Sequence, residues 1–213
     1  MSQESALSIE KSFERRLLVA TTNLKKGGEM LQILSEARLG IEIITLADLP
    51  PMPPVDETGE TFMANAHLKA DAAISQSGLV TIADDGGLVI DALDGHPGVK
   101  SHRFLGEETS FPEKMAAILE MMRDVPDEKR TCRFVCAVVI ATPDGGSFEC
   151  TGVCEGHIAH EMRGSNGFGY DPIVYLPQRN RSMAELLPVE KHTISHRGKA
   201  LALAIPKLRA FFA

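Results

Sequence analysis

Leu79-Val80-Thr81-Ile82-Ala83-Asp84-Asp85-Gly86-Gly87-Leu88 is the stretch on which the reading of this chain turns. Its first half is apolar and β-branched and follows Gly78, the pattern of a short buried strand. Asp84 and Asp85 then stand at the C-terminal end of that strand, where open α/β sheets bind ligands. Gly86 and Gly87 predict a sharp turn behind them that lets a phosphate approach. Such a carboxylate pair suits Mg2+, which takes one or two protein carboxylates and completes its shell with phosphate and water oxygens. Asp-Gly is also a strong hairpin signal in any protein, so these four residues alone leave a plain turn open.

Working outward, residues 16–21 read as a first strand and 22–28 as a polar turn. Met30, Ile33, Leu34 and Ala37 then fall at helical spacing over 29–37. Residues 41–46 suggest a second strand, and the proline-rich 49–58 an extended loop. Phe62, Ala66, Ala70 and Ala73 mark a helix over 61–77. A further strand is expected at 88–92, a helix at 111–123, and a hairpin of 133–141 with 147–154 around Pro143-Asp144-Gly145-Gly146. A short strand at 173–176 and a helix over 195–212, kinked at Pro206, close the chain. Strands alternating with helices, plus a hairpin, predict an α/β fold around a mixed sheet flanked by helices.

At 213 residues the chain suffices for one domain, or for two lobes sharing a core. Residues 1–15 are polar and lack the apolar segment of a signal peptide. They are expected to form a fraying extension ahead of a single catalytic domain over 16–213. No apolar run is long enough to span a bilayer, and a cytoplasmic location is expected. The net charge of −7 argues against a DNA or RNA binder, which needs a basic face. It leaves free nucleotides open, because a few lysines focused in a cleft can hold a triphosphate inside an acidic protein.

Cys132 and Cys136 are four apart, as are Cys150 and Cys154, which invites a zinc reading. Both pairs fall on predicted strands, where residues four apart are separated by roughly 13 Å at about 3.3 Å per residue. Zn–S bonds of about 2.3 Å cannot join such partners, so small buried thiols are expected instead. His157 and His160 resemble a metal pair by spacing, but they have no third ligand and read as surface residues.

Four other segments carry candidate chemistry. Thr21-Thr22-Asn23-Leu24-Lys25-Lys26 joins a strand to a helix, where N–H groups, the macrodipole and two lysines favour an anion. No Gly-Lys-Ser/Thr phosphate loop is present, and a solvated basic turn also accounts for the segment. Glu57 in the proline-rich loop reads as a metal ligand or as a helix N-terminal charge. On the helix that follows, Asn65 and Lys69 share the buried face, so Lys69 either snorkels to water or meets an anion. Gly164-Ser165-Asn166-Gly167-Phe168-Gly169-Tyr170-Asp171-Pro172 suits stacking on a nucleobase, or anchoring of a long loop. Lys191, His196 and Arg197 gather donors at the start of the last helix, with Ser195 as N-cap.

Taken together, these motifs resemble the inosine triphosphate pyrophosphatase family, from about Leu17 to the C-terminal helix. The signatures are Thr21-Thr22-Asn23-Leu24-Lys25-Lys26, Glu57-Thr58-Gly59-Glu60-Thr61-Phe62, Ala83-Asp84-Asp85-Gly86-Gly87-Leu88, Gly95-His96-Pro97-Gly98-Val99, Gly167-Phe168-Gly169-Tyr170-Asp171-Pro172 and Ile194-Ser195-His196-Arg197-Gly198. The resemblance implies an elongated two-lobed α/β homodimer that hydrolyses ITP, dITP and XTP to the monophosphate and pyrophosphate. It implies Mg2+ on Glu57 and Asp85, with Asp85 and Lys69 in catalytic roles. Thr21, Asn23, Lys26 and Gly86 would then serve the triphosphate. Phe168, Gly169, Tyr170, Asp171, Lys191, His196 and Arg197 would serve the purine, with Phe168 stacking on it.

The chain departs from the family pattern at several positions. Gly86 stands where the family usually has Ser, Thr22 where it has Gly, and Ala64 where it has Glu. His102 and Phe104 flank a retained Arg103 in place of Ala and Tyr. Gly86→Ser is therefore expected to restore a hydroxyl contact and raise turnover. Two other functions remain open at this stage, a nucleotide-binding protein with little turnover and a pyrophosphatase for other modified nucleotides.

Overall fold

The computed structural model describes residues 15–213, and the expected N-terminal extension, apart from Arg15, lies outside the described residues. Among the described residues seven strands form one mixed sheet in the order β2-β1-β3-β4-β5-β6-β7. They are β1 (Arg16–Val19), β2 (Glu42–Thr45), β3 (Val80–Ile90), β4 (Thr131–Ala141), β5 (Ser147–Ile158), β6 (Val174–Leu176) and β7 (Arg181–Ser182). β1 lies parallel to both β2 and β3, while β6 lies antiparallel to β5 and β7. The helices are α1 (Leu24–Glu36), α2 (Phe62–Ser77), α3 (Phe111–Met121), α4 (Pro188–Ile194) and α5 (His196–Phe212). The expected α/β class is thus observed, and no described helix is long and apolar enough to cross a membrane.

The chain divides into two compact units, and β3, β4 and β5 each contribute residues to both. One unit comprises the described residues up to Asp85 together with 137–150 and 200–213. Its core joins Leu18 of β1 and Ile44 of β2 to Ala66, Ala70 and Ala73 of α2 and to Val139 of β4. The alanines recur at three- and four-residue spacing and so form one stripe of α2. Leu17, Leu18 and Val19 are all fully buried, as expected of a strand flanked by parallel neighbours.

The other unit comprises residues 86–136 and 151–199. Its core gathers Leu88 and Ile90 of β3, Ile118 of α3, Phe134 of β4, Ile173, and Met183. On β5 buried residues alternate with exposed ones, the period of a strand with one face covered.

Two local expectations change. β3 runs unbroken from Val80 to Ile90, so Asp84-Asp85-Gly86-Gly87 is mid-strand and not a turn, and no separate strand begins at residue 88. Ladder hydrogen bonds to neighbouring strands override the local Asp-Gly turn preference. α1 starts at Leu24, so Lys25, Lys26, Gly27 and Gly28 belong to its first turns. The Asn23 side chain accepts from the amides of Lys25 and Lys26, an N-cap that outweighs the helix-weakening glycines.

All four cysteines are free and buried on β4 and β5, as the strand spacing implied. Burial raises the thiol pKa of Cys132 and Cys154, and pushes that of Cys150 up to about 11. Little thiolate exists near neutral pH, so iodoacetamide at pH 8 is expected to leave the native protein unmodified and to label all four after unfolding in urea. Mass spectrometry checks this; rapid native labelling would contradict the burial.

Candidate active site

β3 carries two carboxylates into an apolar sheet, with Asp84 fully buried and Asp85 4% exposed. Buried charges of one sign are costly unless cations and hydrogen bonds meet them. α1 supplies Lys26, whose Nζ lies 3.9 Å from Asp84 Oδ2 and 3.8 Å from Asp85 Oδ1. α2 supplies Lys69, whose Nζ donates to Asp85 Oδ1 at 3.1 Å and to Glu57 Oε1 at 2.9 Å. The lysine on the alanine stripe therefore meets anions and does not snorkel to water. Burial works against its ammonium, but Asp85, Asp84 and Glu57 outweigh that and hold its pKa above the usual lysine range. Burial likewise pushes the Asp85 carboxyl upward, with Lys69 and Lys26 pulling the other way.

Asn23 is the N-cap of α1, its Oδ1 3.1 Å from both the Lys25 and the Lys26 amides. The Asn23 amide in turn donates to Thr21 Oγ1 at 3.3 Å. Two helix-start donors are thus already used, and attraction for an anion rests on Lys26 and the helix dipole.

Gly86 shows why this strand needs glycine. A Cβ there would lie 2.4 Å from the carbonyl oxygen of Val135 and 3.1 Å from Cys136 Cα on β4. Glycine inside a strand marks such a close backbone approach. The geometry reverses the expectation for Gly86→Ser, because the side chain would push β3 from β4 before any hydroxyl reached a phosphate.

In the other unit, residues 167–171 form the tip of the glycine-dense loop. The Phe168 amide donates to Asp171 Oδ2 at 2.8 Å, and Lys191 Nζ donates to the same oxygen at 2.7 Å. Lys191 sits 4.7 Å and the Arg197 guanidinium 5.8 Å from the Phe168 ring centroid. His196 stacks on Phe134, with centroids 4.8 Å apart and planes at 17°. Lys191 belongs to the short helix α4 and the other two donors to α5; Ser195 Oγ caps α5 by accepting from the Gly198 amide at 3.1 Å. Tyr170 is buried, donates its hydroxyl to Ser101 O at 2.8 Å, and packs edge-on against Phe111 at 5.2 Å. Gly169 lies between the two rings in sequence, in a left-handed conformation (φ +67°).

Glu57, Lys69, Asp85 and Lys26 are therefore brought together in one unit, and Phe168, Asp171, Lys191, His196 and Arg197 in the other. The sequence places Asp84 only in the carboxylate pair suited to Mg2+ and points to no role for Asn65 or Phe134. Asp84 was legible as half of the Asp-Asp pair, and Asn65 as a polar residue on an alanine-lined face one turn from Lys69. Phe134 reads as an ordinary strand residue, and only packing puts it against His196.

The donor set fits a hard divalent cation. Glu57 and Asp85 already turn one oxygen each toward a single cation, the Lys69 ammonium. Among the described residues no group of three or more His, Cys, Asp or Glu side chains could hold a metal. Two carboxylates suffice for Mg2+, which relies on phosphate and water for the rest of its shell.

Fold and site together define an α/β protein with a lysine-neutralised carboxylate centre and a separate cation–aromatic cluster. The chain belongs to the Ham1 family, whose model matches residues 17–207. A protein from Geobacillus kaustophilus named dITP/XTP pyrophosphatase is 46% identical over 88% of this chain and 91% of its own length. One of the same name from Exiguobacterium sibiricum is 46% identical over 87% of this chain and 93% of its own. A HAM1 protein structure from Coxiella burnetii superposes with a TM-score of 0.83 at 40% identity, covering 92% of this chain and 98% of that one. The resemblance read from the motifs is borne out.

Two variants test the local geometry. Gly86→Ser is expected to cost about 1–3 kcal/mol by overpacking. In a chain of this size that lowers the melting temperature by roughly 2–12 °C, without raising turnover. Asn23→Ala is expected to cost about 1 kcal/mol through loss of the α1 cap. Thermal melts with parallel activity assays check both, and a stable, more active Gly86→Ser protein would overturn the strand-approach account.

Proposed function

We propose that this protein is a Mg2+-dependent nucleoside-triphosphate pyrophosphohydrolase that converts ITP, dITP and XTP to the monophosphate and pyrophosphate. It would thereby clear deaminated purines from the nucleotide pool. One observation carries the reading: Glu57 and Asp85 converge on Lys69, with Lys26 alongside. Oxygen donors for a hard cation and ammonium groups for phosphate are thus gathered in one place. The names of the relatives supply the substrate class. The reading takes residues 16–213 as the catalytic domain and includes a cytoplasmic homodimer. The family resemblance supports both, and four buried free thiols agree with a reducing compartment.

In this reading Glu57 and Asp85 would hold Mg2+, which when bound would supply neutralisation of phosphate charge and a lowered pKa for a coordinated water. Asp85 would accept the proton of the water that attacks the α-phosphorus, a role open to a carboxylate placed beside the metal position and Lys69. Lys26 and Lys69 stand beside these carboxylates, so once the carboxylate oxygens are taken by the metal their ammonium groups can turn to the phosphates. Thr21 and Asn23 shape the turn that carries Lys26, and Gly86 keeps β3 against β4.

Phe168 stacks on the purine, and Lys191, His196 and Arg197 donate toward its 6-oxo group. Adenine carries an amino donor there instead, and a site built to hydrogen-bond one group rejects the other by about 10⁴-fold or more. Asp171 serves this edge by holding Lys191 and the Phe168 amide, while Gly169 and Tyr170 shape the loop around the stacking ring.

Pyrophosphate release from ITP, XTP, GTP and ATP, with and without Mg2+, tests the proposal. Mg2+-dependent release from ITP and XTP, with little from ATP, is expected; guanine shares the 6-oxo group, so the GTP arm reads whether the site also excludes a 2-amino group. Tight binding without release would select a nucleotide-binding protein, and release without 6-oxo preference a pyrophosphatase for other nucleotides. Asp85→Asn is expected to lower kcat by roughly 10²–10⁴-fold or more while leaving nucleotide binding largely intact. An active Asp85→Asn protein would remove the assignment of the proton acceptor.

A further inference from the structure

Asn65 lies one turn before Lys69 on α2 and is fully buried. Its Oδ1 accepts from the Gly59 amide at 2.8 Å, and its Nδ2 donates to Asp85 Oδ2 at 3.3 Å. These partners fix the amide orientation, because a backbone N–H only donates and a carboxylate only accepts. A Cβ on Gly59 would come within 2.6 Å of Asn65 Oδ1, so the loop backbone is seated directly against this side chain. Gly59 is two residues after Glu57. One buried amide therefore links the loop bearing one carboxylate to the strand bearing the other.

The link also divides the labour of Asp85. Oδ2 is held by Asn65, which leaves Oδ1 toward Lys69 at 3.1 Å and Lys26 at 3.8 Å. The terminal torsion of an aspartate is broad, so without this donor its plane is free to turn. The geometry points to Asn65 as the positioning residue that sets the orientation and separation of Glu57 and Asp85, and hence the affinity of the pair for a divalent cation. This inference rests on reading Glu57 and Asp85 as the metal ligands.

Mn2+ binding to the full chain without nucleotide, followed by electron paramagnetic resonance, tests it apart from turnover. Asn65→Ala is expected to weaken Mn2+ binding by about 10–100-fold and to raise the Mg2+ concentration for half-maximal pyrophosphate release by a similar factor. Asn65→Asp keeps an acceptor for the Gly59 amide but removes the donor to Asp85, and is expected to show the same losses. Because the effect runs through the carboxylate pair, Asn65→Ala and Glu57→Gln together are expected to cost less than the sum of the two alone.

Folded Asn65→Ala and Asn65→Asp proteins with Mn2+ affinity and Mg2+ dependence within about threefold of native would overturn the inference. If Asn65→Ala does not fold, Asn65→Asp decides alone. A native protein that binds Mn2+ but releases no pyrophosphate would fail the functional reading, yet the Mn2+ measurements would still judge Asn65. A native protein that binds no Mn2+ would overturn the inference together with the metal assignment.

Discussion

Two adjacent buried aspartates in the middle of β3 are the constraint that the site's unit is organised around. Asp84 and Asp85 sit in a strand whose other residues are almost all apolar and buried. Leaving those carboxylates unmatched would cost several kcal/mol each, far more than an ordinary surface charge. α1 answers with Lys26, and α2 with Lys69 and Asn65. The placement of both helices is thus tied to electrostatics as well as to the alanine-lined core beneath α2. The same matching gathers cations and carboxylates in one place.

The other unit solves a smaller version of the same problem. Asp171 and Lys191 are nearly fully buried and meet at 2.7 Å, and the Phe168 amide closes on the same carboxylate oxygen. The pair orders a loop that would otherwise be loose, given its glycine content. The order is transmitted to the aromatic ring, because Lys191 and Arg197 both lie against Phe168. Phe134 does for His196 what Asp171 does for Lys191: it fixes the plane of a donor that side-chain torsions alone would leave free.

Gly86 illustrates how a departure from a family pattern reads differently in three dimensions. As a sequence change it looks like a missing hydroxyl. In the fold it is a contact between β3 and the Val135 carbonyl that leaves no room for a Cβ. Asn23 gains a structural role that the motif alone did not show, as the cap that starts α1.

Much of this protein was legible in one dimension. Alternating apolar strands and amphipathic helices determined the α/β class, since hydrophobic periodicity follows directly from which faces must be buried. The spacing of the cysteines on strands pointed to small buried thiols, and all four are buried on β4 and β5. The motif set determined the family and the residues worth placing. The tertiary structure decided the rest, because it depends on partners far apart in the chain. That Asp84-Asp85-Gly86-Gly87 continues a strand follows from ladder hydrogen bonds and the approach of Val135, which no local preference encodes. That Lys69 meets Glu57 and Asp85, and that Asn65 ties their two segments together, follows from how α2 packs. Local sequence sets which residues are buried, and packing alone sets which buried charges face one another.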